Sequence, residues 1–268
     1  VSVGSRAREP LPFKRISTIV SYRIFGQKAR AAKKVENIAF GLTSDGWFGI
    51  VIQNGERAMG MLVIGICGAS GSGKSTLAHE LCRAIGKGCT VINHDCYYRD
   101  HPGLTLEERS LLNYDEPEIF DHDLFLEDIK LLLDGKPITR KAYDYALHRR
   151  ADTDELIDPP EVLIIEGIHV FYDERLCELM FLKLYMSVEP DICLLRRISR
   201  DISERGRSIE SISVQYLSTV KPMYDKHIRN YINLADVIVA HGGRNARIVD
   251  ILAGYVRDEL GRRAGDSN

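Results

Sequence analysis

The stretch "MLVIGICGASGSGKST", residues 61–76, decides how this chain folds. Its first seven residues are an unbroken apolar run of strand length, as expected for a parallel strand buried on both faces. The next nine are Gly68, Ala69, Ser70, Gly71, Ser72, Gly73, Lys74, Ser75 and Thr76, and they satisfy Gly-x-x-x-x-Gly-Lys-Ser/Thr in full. "LAHELCRAI" continues as a helix and stops at Gly86. A glycine-rich loop in this position lets backbone N–H groups turn inward on phosphate oxygens, and the helix N-terminus adds partial positive charge. Lys74 then reaches the outer phosphates and the Ser75 hydroxyl ligates Mg2+. The pattern implies ATP or GTP binding.

Outward from this loop, the alternation repeats. "TVIN", "EVLIIEG", "FLKLYMSV" and "ADVIVA" read as four further strands. Helices are expected through "LTLEERSLL", "DHDLFLEDIKLLLDG", "PDICLLRRISRDI", "IESISVQYLSTV" and "RNARIVDILAGYVRDEL". The predicted class is α/β with the P-loop NTPase fold, a doubly wound five-stranded parallel sheet with helices on both faces. Residues 138–158 break the rhythm. "ITRKAYDYALHRRADTDELID" has extended stretches around a charged turn, which predicts a β-hairpin off the main sheet with Tyr143 and Tyr145 on one face.

The net charge of -2 conceals an asymmetry. Residues 1–60 hold ten Lys/Arg against four Asp/Glu, so the remainder is acidic. An acidic body argues against nucleic-acid binding by counterion release. The basic segment is expected to be a disordered extension or an over-extended start, with Met59 or Met61 as the native first residue; a transit peptide or a basic arm are the alternatives. Six cysteines form no C-x-x-C pair and no zinc spacing, which suits free thiols in a reducing cytoplasm. No apolar run reaches the ~18 residues of a membrane span.

In a doubly wound sheet, ligands gather outside the carboxyl ends of the strands. Glu166 ends "VLIIE" and Asp95 follows "VIN" directly after His94, so both are expected in the crevice of the phosphate loop. Glu166 would assist the metal with Ser75, while Asp95 could receive the proton of an attacking hydroxyl.

With the loop, "HDCYYRD", "NYDEPEIFDHDL", "YDYALHRR", "LIIEGI" and "RRISRDISERGRSIESISVQYLSTVKPM" in this order, the chain resembles the uridine kinase (uridine-cytidine kinase) family. The resemblance runs from about Met61 to about Val256. It implies transfer of a γ-phosphoryl group from ATP or GTP to the 5′-hydroxyl of uridine or cytidine. In its terms, residues 61–268 form the kinase domain, 138–158 the nucleoside-binding hairpin over the acceptor site and about 200–222 a helical lid. Asp95 looks like the family's catalytic base and metal-side carboxylate, beside Lys74, with Arg200 in the lid. Tyr98, Asp115, Tyr143, His148, Arg197, Arg207 and Gln215 match nucleoside-binding positions. A homotetramer, inhibition by CTP or UTP and pyrimidine salvage are implied likewise. Two positions depart from the family pattern: Arg140-Lys141-Ala142-Tyr143 enters the hairpin without its usual proline, and Ala240-His241-Gly242-Gly243 follows the last strand. The competing readings are a related kinase for another acceptor, such as a phosphoribulokinase or pantothenate kinase, and a nucleotide-binding regulator without catalysis.

Overall fold

The computed structural model describes residues 38–42, 48–52 and 60–265. Near the N-terminus, β1 (Ile38–Leu42) pairs antiparallel with β2 (Phe48–Ile52), Ile38 opposite Ile52 and Leu42 opposite Phe48. None of the strands expected from the sequence lies in this region. Five-residue strands are too short to establish a period, and the available signal was Asp45-Gly46 between two apolar runs. The other expectations for residues 1–60 lie outside the described residues.

The main body alternates as expected. β3 (Leu62–Gly68), β4 (Cys89–Asn93), β7 (Val162–Glu166), β8 (Leu182–Ser187) and β9 (Val237–Ala240) form one sheet in the order β4-β7-β3-β8-β9. Every pairing in it is parallel. Ile66 lies opposite Glu166 and Asn93 opposite Glu166 from the other side. The phosphate loop, Glu166 and Asp95 therefore leave the sheet at one level.

Each central strand splits its side chains between two cores. Leu62, Ile64 and Ile66 of β3 pack with Leu77 and Leu81 of α1 (Lys74–Ile85) and with Leu252 and Val256 of α8 (Ala246–Gly265). Val63 and Cys67 face the other way, into a cluster with Phe125, Ile129 and Leu132 of α3 (His122–Leu133). Each fully buried Leu, Ile or Phe side chain contributes about 1.5–3 kcal/mol. That two-sided demand is why the strands read as continuous apolar runs.

Local chemistry sets the helix starts. Thr105 and Glu108 make a reciprocal capping box for α2 (Leu106–Ser110), and Asp121 caps α3. A short α4 (Glu174–Cys177) follows β7. β5 (Ile138–Asp144) and β6 (Arg149–Ile157) form the separate antiparallel hairpin, with a register shift between Lys141 and Tyr143. After β8, α5 (Pro190–Arg205) ends on Gly206 in the left-handed conformation, and Ser208 caps α6 (Ile209–Gln215). The chain then widens into one π-helical segment, Tyr216–Val220, and continues as α7 (Lys221–Lys226). The sequence reading ended this helix near Val220. Pro222, which lacks an N–H to donate, is accommodated by the widened turn before it instead of terminating the helix.

Candidate active site

The phosphate loop is built by close approach. Gly71 has φ +83°, and a Cβ there would stand 2.2 Å from the Cys193 carbonyl oxygen at the start of α5. Gly73, also left-handed, is the N-cap of α1 and offers no side-chain cap, and the first turn holds no acidic residue. The leading N–H groups of α1 are thus left for an anion. The Ser72 hydroxyl is fully buried with no hydrogen-bond partner among the described residues, which fits a loop shaped for a ligand's oxygens. Lys74 donates to the Ala69 carbonyl at 3.0 Å, which keeps its ammonium over the loop.

At the strand edge, Ser75 Oγ donates to Glu166 Oε1 at 2.8 Å. Glu166 is 3% exposed, and burial raises its pKa against the opposing pull of Lys74. A buried carboxylate that resists ionisation, beside a serine hydroxyl, is a donor set a hard dication would favour and ionise. The residues therefore fit Mg2+.

His94 turns inward, wholly buried and stacked on Phe120 with centroids 4.2 Å apart. Asp95, the next residue, has its backbone N–H held by Asn93 Oδ1 at 2.7 Å. Its carboxylate accepts a 2.7 Å hydrogen bond from the Tyr145 hydroxyl at the hairpin tip. Sequence reasoning gave Tyr145 only a shared face with Tyr143. The two rings are indeed neighbours, perpendicular with centroids 5.3 Å apart.

The hairpin also brings an aromatic wall together. His148, with φ +48°, stacks on Tyr114 at 4.8 Å, and Tyr143 lies 4.8 Å from Tyr98. Burial, with Arg207 next in weight, lowers the His148 pKa, so the imidazole is neutral at pH 7. Tyr98 is more enclosed than its expected role suggests. It is buried between Phe120 and Tyr143 and donates to the Tyr114 carbonyl at 3.1 Å.

Asp115 is 5% exposed, and burial raises its pKa. The Thr219 hydroxyl donates to its Oδ2 at 3.1 Å, and Arg197 stands 4.0 Å away. The Asp115 carbonyl accepts from His169 Nε2 at 2.8 Å, while His169 Nδ1 accepts from the Tyr231 hydroxyl. Neither Thr219 nor His169 was singled out by sequence reasoning.

Arginines of α5 and of the residues just after it converge on a single acid. Asp201, with no exposed surface, lies within 3.6 Å of Arg197, Arg200, Arg205 and Arg207, with Arg200 at 2.8 Å. Arg197 also donates to Ser70 Oγ at 3.0 Å and to Gln215 Oε1 at 2.9 Å, and Arg207 donates to the same Gln215 oxygen. Arg197 thereby links α5 to the phosphate loop and to Gln215, and it faces Asp115.

Comparison with known proteins identifies the family. Residues 63–247 match the Phosphoribulokinase / Uridine kinase family. A uridine kinase of Geobacillus kaustophilus is 42% identical over 204 residues, 76% of this chain and 97% of that protein. One from Limosilactobacillus reuteri is 41% identical over 213 residues, covering 79% and 96%. Among solved structures, phosphoribulokinase from Rhodobacter spheroides shares the fold, with a TM-score of 0.51 and 16% identity over 67% of this chain and 70% of that one.

Proposed function

This chain belongs to the Phosphoribulokinase / Uridine kinase family, and we propose that it moves the γ-phosphoryl group of ATP or GTP onto the 5′-hydroxyl of uridine and cytidine. Membership implies a nucleotide as phosphoryl donor. The observation that carries the acceptor assignment is the hairpin's double contact: His148 stacks on Tyr114 while Tyr145 reaches Asp95. A flat, uncharged base suits the first and a primary hydroxyl suits the second.

In this reading, the loop amides and Lys74 bind and orient the outer phosphates. Mg2+, held by Ser75, Glu166 and Asp95, would supply charge neutralisation on those phosphates. Asp95 accepts the hydrogen bond of the 5′-hydroxyl and aims its oxygen at phosphorus. The proton reaches the carboxylate late in the transfer, as the bond to phosphorus forms. Arg200 closes from the lid on the developing charge, with Arg197 and Arg207 beside it. Asp115 accepts from the ribose hydroxyls. Tyr143 meets the face of the base, with Tyr98 behind it. His148 as a neutral imidazole donates to uracil O4 or accepts from the cytosine amino group, according to tautomer. Gln215 holds the arginines in register. The same proposal includes a homo-oligomer working in a reducing cytoplasm, where the six free cysteines would persist as thiols.

The test is ADP release by the purified chain with Mg-ATP, offered uridine, cytidine, adenosine, ribulose 5-phosphate and pantothenate in turn, with Asp95→Asn alongside. Turnover on the pyrimidine ribonucleosides, lost in the variant, is the expected result. Turnover on ribulose 5-phosphate or pantothenate in their place overturns the acceptor assignment.

A further inference from the structure

The Tyr145–Asp95 hydrogen bond is more than a chance contact of two side chains. The hairpin tip that presents Tyr145 is fixed locally, because Asp144 Oδ1 accepts from the backbone N–H groups of Ala146 and Leu147 at 2.8 and 3.0 Å. The ring is fixed from above by Arg205, whose guanidinium carbon lies 4.0 Å from the ring centroid. Arg205 is in turn 3.6 Å from the buried Asp201. A continuous chain of contacts thus runs from this buried acid to the carboxylate assigned to the acceptor hydroxyl.

Every kinase that aligns a carboxylate on a γ-phosphate faces water as a competing acceptor. In that side reaction a water oxygen bonds to the γ-phosphorus and the bond from phosphorus to the β,γ-bridging oxygen breaks. ADP leaves with that electron pair, and the water proton passes through Asp95 to the released phosphate. The reaction needs a water hydrogen-bonded to Asp95. In this structure Asp95 Oδ2 already accepts a hydrogen bond from Tyr145.

We propose that Tyr145 determines the choice of a nucleoside hydroxyl over water: its hydroxyl occupies Asp95 until an acceptor displaces it. The inference rests on the phosphoryl-transfer reading of Asp95 given above. Displacement costs a nucleoside little, because the hairpin and ribose contacts compensate it. Water has no such contacts to offset the lost bond.

The experiment is inorganic phosphate release from Mg-ATP without acceptor, beside UMP formation with uridine, for the full chain, Tyr145→Phe, and Tyr145→Phe combined with Asp95→Asn. Phenylalanine keeps the ring under Arg205 and removes only the hydroxyl. Acceptor-free hydrolysis should rise roughly tenfold or more in Tyr145→Phe, given the 10²–10⁴-fold that a positioned base can supply. It should fall back to the unmodified chain's level in the double variant. Saturating uridine should suppress the surplus hydrolysis. Unchanged hydrolysis with UMP formation intact overturns the inference alone, as does a rise that survives loss of Asp95. A Tyr145→Phe variant that forms less UMP without hydrolysing more ATP makes Tyr145 an ordinary acceptor contact and also overturns it. Absence of uridine turnover in the unmodified chain defeats the functional reading and this inference together.

Discussion

Asp201→Asn is the substitution that tests the arginine cluster most directly. It keeps the shape of the side chain and removes its charge. Four guanidiniums lie within 3.6 Å of this carboxylate, which has no exposed surface. Arg197 is itself almost wholly enclosed, and the other three are about a quarter to a third exposed. Breaking a buried ion pair by removing one partner costs about 3–5 kcal/mol, because the remaining charge is left uncompensated. Here the residue removed is the shared partner, so the upper part of that range applies. At about 2–4 °C per kcal/mol for a domain of this size, the melting temperature should fall by roughly 8–20 °C. Urea unfolding followed by circular dichroism measures the loss. A double variant makes the test sharper. Adding Arg205→Gln to Asp201→Asn should recover stability, since it relieves repulsion among cations that have lost their acid. A loss below ~1 kcal/mol, or a double variant less stable than the single one, would refute the hub: the arginines would then be held by Gln215 and solvent instead.

Two further outcomes are expected. Thr219→Val removes the hydroxyl that Asp115 shares with the Gln215 carbonyl, also 3.1 Å away. One proton serves two acceptors, so the loss should be about 1 kcal/mol, close to fivefold in KM for uridine with KM for ATP unchanged; equal changes in both would contradict the assignment. His169 has its pKa lowered to about 3 by burial, so the unfolded chain takes up a proton near pH 6.5 that the folded chain refuses. Stability should accordingly be complete above pH 6.5 and decline as pH falls toward 3, by up to ~2 kcal/mol between pH 6.5 and 5 from this group. His94, lowered in the same direction by burial, steepens the slope. Urea midpoints at pH 7.5 and 5.0 should differ less in His169→Asn than in the unmodified chain.

The scaffold was open to sequence reading because its rules are local. Apolar runs, the loop spacing and capping residues fix the five strands, α1 and the hairpin without reference to distant parts of the chain. Lys74, Ser75, Glu166 and Asp95 follow from strand ends meeting at one sheet edge. Tyr145, Asp201, Thr219 and His169 stayed hidden for different reasons. Tyr145 reaches Asp95 only because the hairpin folds back over the sheet edge, fifty residues later in the chain. Asp201 sits in "RRISRDISERGR", where charge density reads as a solvated helix face, although two acids among five arginines were an available signal. Thr219 faces Asp115 from a π-helical turn whose phase no 3.6-residue pattern anticipates. His169 works through a backbone carbonyl, an interaction without a compositional trace.

The abutment of the Gly71 position on the Cys193 carbonyl makes α5 a lever with its fulcrum in the phosphate loop. From Cys193 to Arg205 the helix extends about 18 Å at 1.5 Å per residue. A tilt of about 5° around that fulcrum carries Arg205 by ~1.6 Å at this helix rise. That stroke is large against the 4.0 Å stacking of Arg205 on Tyr145 and the 2.7 Å bond from Tyr145 to Asp95. A tilt of α5 by that angle would therefore disturb the Tyr145–Asp95 contact at the far end of the helix.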